Sequence, residues 1–227
     1  MSSPQTVSDP RLSGRTTAQA PAGNAVLRNT YRLLSMTLAF SALTALGAAA
    51  LNLPHPGLLL TLAGYFGLLF LTSYTRNSAW GLVSVFALTG FMGYTLGPIL
   101  NAYLAMSGGS SIVATAMGTT AVAFLGLSAY ARTAPVGSLP KFGTFLFVGI
   151  LTAFVLGLAA VFLNMPMLSL AVSGLFVLLM SGLIVYETQN IISGGETNYI
   201  MATVTLFVAI YNLFTSLLHL IGFMSDE

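Results

Sequence analysis

The sequence contains no cysteine and very few charged residues. Without cysteine it can form no disulfide, no thiolate metal site and no cysteine nucleophile. Only 5% of the 227 residues are charged, whereas 56% are hydrophobic. Soluble domains have about 25% charged residues, so this composition predicts an integral membrane protein. The formal net charge of +2 is too small to indicate a nucleic-acid partner.

Common signatures of catalysis and metal binding are also missing from the sequence. It has no P-loop, no His-Glu-x-x-His, no Gly-x-Ser-x-Gly and no pair of carboxylates within one predicted helix. The two histidines, His55 and His219, lie in different segments with no further ligands at metal-binding spacing. We therefore expect no enzymatic activity, no metal ion and no cofactor, and we expect His55 to cap a helix or lie at the surface.

Seven apolar runs are each close to the length of about 20 residues that a helix needs to cross a bilayer. The charges of Arg76, Arg132 and Lys141 fall between these runs. Strands of a membrane β-barrel would be about half as long and would alternate apolar with polar residues. The sequence thus predicts an all-α, seven-helix transmembrane bundle over residues 25–227. The predicted spans are residues 33–51, 57–74, 80–100, 112–130, 142–163, 167–186 and 199–223.

Residues 1–24 differ from the rest because they are rich in Ser, Thr, Pro, Gly and Ala. Such a segment cannot bury enough apolar surface to offset the entropy of ordering it, which predicts a disordered tail. Cationic residues are retained on the cytoplasmic side of short loops. A cytoplasmic N-terminus and a periplasmic C-terminus place every Lys and Arg inside. These residues are Arg11, Arg15, Arg28, Arg32, Arg76, Arg132 and Lys141.

Polar residues near the last two predicted helices are candidates for function. Glu187 ends the sixth run, where an ionisable group is costly and often functional or paired; alternatively, it extends into cytoplasmic water. Glu196 precedes the last helix, where a carboxylate favours the helix dipole, so we expect it to act as a structural cap. Four polar residues of the last helix share one face and either bond to other helices or line a hydrated path. They are Thr205, Asn212, Ser216 and His219.

The third predicted helix contains a series of glycines that favours close helix packing. Gly93 and Gly97 have the Gly-x-x-x-Gly spacing that lets two backbones approach, and Gly90 lies one turn earlier on the same helix. Pro98 follows directly. We expect it to end this helix, or alternatively to kink it at a gate.

Several strings resemble the Bax inhibitor-1 family, specifically its bacterial YccA branch. The resemblance spans residues 26–222, and its most specific string is GGETNYI at residues 194–200. It implies a seven-helix bundle with a central last helix and an internal N-terminus. The other strings are VLRNTY at 26–31, TGFMGY at 89–94, LGPILN at 96–101, VYETQNII at 185–192 and YNLF at 211–214.

The resemblance implies a bacterial inner-membrane location, the lipid bilayer as surroundings and the membrane-anchored AAA protease FtsH as partner. YccA-like proteins bind FtsH, are degraded by it through the N-terminal tail and restrain its action on other substrates. Other members of the family are pH-sensitive calcium leak pathways. Our first hypothesis is therefore an FtsH modulator, and the alternative is a cation leak channel or transporter.

The leak proteins use two aspartates, one on the sixth helix and one on the seventh, that share a proton. The matching positions here are Glu187 and Ala209. Two neighbouring carboxylates cannot both ionise easily, but an alanine cannot take part in such a pair. This departure from the family pattern places the pH latch, and calcium passage through it, in doubt.

Overall fold

The computed structural model describes residues 19–133 and 140–225. This part of the chain forms seven α-helices, all long and apolar enough to cross a membrane. The prediction of an all-α transmembrane bundle is confirmed. The helices are α1 (Gln19–Ala50), α2 (Leu58–Thr75), α3 (Trp80–Leu104), α4 (Gly109–Thr133), α5 (Pro140–Phe162), α6 (Pro166–Ile192) and α7 (Tyr199–Ser225).

The first and sixth helices extend beyond the apolar runs that predict them, the first at its start and the sixth at its end. The first begins at Gln19, so residues 19–24, assigned above to the tail, are helical; residues 1–18 lie outside the described part. The sixth continues to Ile192 instead of ending at residue 186. These extensions pack together, since a Cβ on Gly23 would stand 2.9 Å from the Ile192 carbonyl oxygen. Tertiary packing overrides the local polarity by which the ends are predicted.

The interpretation of Pro98 as a helix terminator is wrong. This proline lies inside α3, which continues to Leu104. A proline is tolerated within a membrane helix where neighbouring helices, or Ser and Thr side chains, satisfy the backbone groups that it frees.

The first and fifth helices end in the same way, in a Leu-Asn-x-Pro string that occurs at residues 51–54 and 163–166. Asn52 and Asn164 have φ angles of 48° and 50°. In both strings the N–H of the next residue donates to the carbonyl five residues earlier, at 2.9 Å. This arrangement is the Schellman cap, in which asparagine can replace the usual glycine because it tolerates the left-handed region.

The last helix is central in the bundle, as the family resemblance implies. It packs against α1, α3, α4 and α6, whereas α2 packs mainly on α3 and α5 on α6. The largest fully buried side chain is Phe207 of α7. Large apolar side chains elsewhere point outward, such as Leu59 and Phe70 of α2 at 79% and 74% exposure. Such a surface suits hydrocarbon rather than water.

Both ends of the bundle can be assigned from the contacts between helix termini. The start of α1 packs against the end of α6, and the start of α7 is hydrogen-bonded to the loop after α2. We call this end of the bundle the tail side, because α1 begins there, and the opposite end the far side.

Candidate functional site

Glu187 lies on α6 near the tail side and is enclosed by protein, since its side chain is only 5% exposed. The interpretation in which Glu187 extends into cytoplasmic water is therefore wrong. The next two residues, Thr188 and Gln189, are also buried. A hydroxyl contact of 3.4 Å joins Tyr31 of α1 to Thr188. The tail side thus contains a buried polar layer centred on α6.

The end of α6, just beyond Glu187, is covered by the loop that follows. The N–H groups of Gly195 and Glu196 donate to the Asn190 carbonyl oxygen at 2.9 and 3.2 Å, so this loop returns over the end of the helix. Ala209, which matches the second aspartate of the leak proteins, is fully buried and supplies no polar group. The second carboxylate at this end of α6, Glu196, therefore belongs to the α6–α7 loop and not to α7.

The cap of α7 is Asn198, not Glu196 as its position suggests. The Asn198 Oδ1 atom accepts the N–H groups of Ile200 and Met201 at 3.0 and 3.1 Å. Glu196 instead binds the loop, since its Oε1 accepts the Asn198 N–H at 2.6 Å. The amide of Asn198 also donates to the Arg76 carbonyl oxygen at 3.0 Å. One asparagine thus starts the central helix and ties it to the α2–α3 loop.

The four polar residues predicted to share a face of α7 have different partners. Thr205 and Asn212 donate to carbonyls of their own helix, at 3.1 and 2.8 Å. His219 contacts Ser173 of α6 through Nδ1 and Oγ at 2.8 Å, and Ser216 is buried. In the described part of the chain, the bond of His219 thus joins two helices, whereas the bonds of Thr205 and Asn212 stay within α7.

A cavity of about 350 Å³ lies among α2, α3, α5, α6 and α7, and Asn212 is part of its lining. Its polar lining also includes Thr95 and Tyr211, whose hydroxyls are 3.2 Å apart. No local pattern in the sequence marks these two residues as a pair, although Tyr211 stands in the YNLF string. Their roles depend on a contact between distant helices that no local spacing reveals.

Three glycines of α3, Gly90, Gly93 and Gly97, lie against α1. A Cβ on Gly97 would be 2.6 Å from the Cβ of Ala48, and one on Gly90 would be 2.6 Å from the Phe40 ring. A Cβ on Gly93 would overlap the Ser41 carbonyl oxygen and the Thr44 hydroxyl. Real Cβ atoms do not approach neighbours so closely. The short distance between α1 and α3 is therefore possible only because glycine has no side chain at these positions.

The described residues contain no group of three or more His, Cys, Asp or Glu that could hold a metal ion. Glu187 and Glu196 are the two acidic residues of the described ranges, and two carboxylates alone do not make a rigid cation site. The site can bind protons and polar groups through its carboxyl, hydroxyl and amide side chains.

Comparison with known proteins identifies the family. The model of the family described as "Inhibitor of apoptosis-promoting Bax1" matches residues 23–226. The chain belongs to the Bax inhibitor-1 family. In this family the chain is 52% identical to the "Modulator of FtsH protease YccA" of Escherichia coli K12 over 202 residues, which cover 89% of this chain and 91% of that relative.

Other members of the family agree on the kind of protein. The "Inner membrane protein YccA" of Escherichia coli O6:H1 is 52% identical over 89% of this chain and 91% of its own length. An "Uncharacterized membrane protein" of Vibrio cholerae is 43% identical over 90% of this chain and 92% of its own. With the seven membrane-length helices, these relatives support a multi-pass inner-membrane protein.

Proposed function

We propose that this protein binds the membrane protease FtsH and restrains it, without catalysing a reaction itself. The observation that carries the proposal is the 52% identity to a relative named as a modulator of FtsH protease. The match covers 89% of this chain and 91% of that relative, so it includes nearly all of the bundle.

The proposed orientation places the tail side in the cytoplasm. Arg76 and Arg132 lie at helix ends on that side, and Arg28 and Arg32 lie in the half of α1 that starts there. The loops of the far side contain no Lys or Arg. This asymmetry is the one by which cationic residues set topology, and it supports the proposed orientation, in which the C-terminus is periplasmic.

In this proposal the protease engages the tail and then meets a bundle that resists extraction. An unfolding protease needs a flexible chain end, and the composition of residues 1–18 favours disorder. Behind the tail, α1 packs closely on α3 and α7 is enclosed by four helices. An engaged molecule would therefore occupy the protease for a long time, which restrains its action on other substrates.

Co-purification with a proteolytically inactive FtsH in mild detergent tests this proposal. The full chain, a chain lacking residues 2–18 and a chain with a Gly/Ser replacement of those residues are compared. We expect the full chain to be retained and the truncated chain to be lost. The deletion ends before α1, because the first part of this helix packs through Gly23 on the carbonyls of Ile191 and Ile192. Failure of the full chain to associate would refute the modulator function.

The half-life in cells that contain active FtsH is a second measurement. Removal of residues 2–18 should prolong it, because the protease loses its starting point. The Gly/Ser replacement separates two roles of the tail, since it retains a flexible end but not the residues of the tail. An unchanged half-life after truncation would remove the tail from the proposal.

A second candidate function is a cation leak, and two observations favour it. Glu187 is buried, with Glu196 in the loop that covers the end of its helix, and the largely apolar cavity among the helices includes Tyr211 and Asn212 in its lining. Purified protein in liposomes tests this function through calcium flux between about pH 5 and 8. Flux that Glu187→Gln abolishes and Thr152→Val, on the exposed surface of α5, leaves intact would support it. No flux in the unaltered protein would exclude it.

A further inference from the structure

We propose that a cleft between α1 and α4 binds an anionic phospholipid. Its phosphate would lie among three arginines on the tail side, and one acyl chain would fill the apolar part of the same cleft. The inference does not depend on the FtsH proposal, because it rests only on the lining of this cleft.

The headgroup part of the cleft is cationic and has no acidic residue in its lining. Arg28 and Arg32 are one turn apart on α1, and Arg132 lies at the end of α4. They surround an open volume of about 450 Å³ together with Asn24 and Ser35. Like charges at this spacing repel each other, whereas guanidinium groups bind phosphate with paired hydrogen bonds. A single phosphate would offset this repulsion.

The Arg132 guanidinium is already held in place over the mouth of the cleft. Its central carbon lies 5.2 Å from the centroid of the Tyr31 ring, a distance typical of a cation–π contact. This contact links the end of α4 to α1. Arg132 therefore faces the two arginines of α1 without a rearrangement of the helices.

The apolar part of the cleft lies between the same two helices, which are not a closely packed pair. Its volume is about 510 Å³, and its floor includes Phe207 and Phe214 of α7. Leu38 and Leu46 mark its ends along α1. These two residues are eight positions apart, which is a rise of about 12 Å and close to half of a hydrocarbon core about 30 Å thick.

The two parts meet at one aromatic contact. Tyr31 lines the cationic part and Phe124 of α4 lines the apolar part, and their ring centroids are 5.9 Å apart. A molecule that fills both parts needs an anionic head joined to an apolar chain. Free phosphate would leave the apolar part unused, and a neutral lipid would leave the arginines unpaired, so an anionic phospholipid fits best.

Native mass spectrometry of the full-length protein in neutral detergent tests the headgroup part. Phosphatidylglycerol and phosphatidylcholine with the same oleoyl chains are titrated separately, and we expect at least about tenfold tighter binding of phosphatidylglycerol. Arg28→Gln and Arg132→Gln should each weaken it about fivefold. Arg76→Gln removes an equal charge on the same side but outside the cleft, so it should have no effect. Equal binding of both lipids, or an equal loss in all three variants, would overturn the proposal.

The acyl part is tested by a substitution that fills it. Ala121 of α4 lines the apolar part, whereas Ala129 is exposed on the same helix outside the lining. Ala121→Phe should weaken phosphatidylglycerol binding several-fold and Ala129→Phe should not. The unaltered protein provides a test that needs no variant, in which glycerol phosphate and inorganic phosphate compete with phosphatidylglycerol. Displacement by either at equal concentration would show a free phosphate site and refute the lipid.

Discussion

Helix α1 has two neighbours that it meets in opposite ways. Against α3 it forms the most extensive helix pair of the described structure, with Gly93 and Gly97 directly under its backbone. Toward α4 it leaves a cleft of about 510 Å³ lined by larger side chains such as Met117 and Phe124. Helix α1 thus forms a closely packed interface with α3, which we call the seam, and an open cleft with α4.

The difference shows what holds membrane helices together. Lipid is as apolar as the helix surfaces, so burial of apolar area does not by itself draw two helices into contact. Van der Waals packing does so where small residues let the backbones approach, as α3 does at its glycines. Where α4 presents large side chains, the remaining space is open to the bilayer and suits a lipid chain.

The largest expected effect comes from a methyl group placed in the seam. Gly93→Ala should lower the free energy of unfolding by about 1–3 kcal/mol, because the new Cβ meets the Ser41 carbonyl and α1 must move away. Gly118→Ala is the control, since a Cβ there meets no atom within 4 Å and alanine favours helix. Unfolding in mixed micelles with increasing SDS measures both. Equal stability of the two variants would contradict the close packing of α1 on α3.

The next effect concerns the cap that starts the central helix. Asn198→Ala should cost about 1–2 kcal/mol, because α7 loses its cap and its tie to the α2–α3 loop. Asn198→Asp keeps an acceptor for the helix N–H groups but loses the donor to the Arg76 carbonyl. We expect its stability to lie between those of the alanine variant and the unaltered protein. An aspartate variant as unstable as alanine would show that the loop contact dominates.

A smaller effect is expected at the hydroxyl pair that joins α3 to α7. A double-mutant cycle with Thr95→Val and Tyr211→Phe measures the coupling between these side chains. Hydrogen bonds between membrane helices contribute about 0.6 kcal/mol on average, and we expect a value of that size for this 3.2 Å contact. A coupling energy of zero would show that the two hydroxyls do not interact in the bilayer.

The smallest effect is predicted for the open cleft. Ala121→Phe should change the free energy of unfolding by less than about 0.5 kcal/mol, because the ring enters space that is already open. Ala116→Phe provides the contrast on the same helix, since Ala116 is fully buried and has no room for a ring. Circular dichroism melts in detergent compare the two. Strong destabilisation by Ala121→Phe would show that α1 and α4 are closer together than the cleft implies.

The candidate site was predictable only in part. Its key residue, Glu187, could be predicted because it is an ionisable group at the end of an apolar run. The family could be predicted from the GGETNYI string. The position of Glu196 at the end of α6 could not be predicted, because it depends on a tight loop that returns over this end of the helix. Likewise Asn198, not Glu196, caps α7, since the cap depends on which side chain faces the free N–H groups.

The class of this protein and the number and approximate positions of its helices follow from the sequence alone, although the ends of α1 and α6 do not. Apolar runs of membrane-crossing length leave a backbone no other way to satisfy its hydrogen bonds in lipid than to form helices. The tertiary structure decided which faces of these helices meet. Apolar residues look alike whether they face lipid or protein, so only the packing of the bundle separates the seam of α1 and α3 from the cleft of α1 and α4.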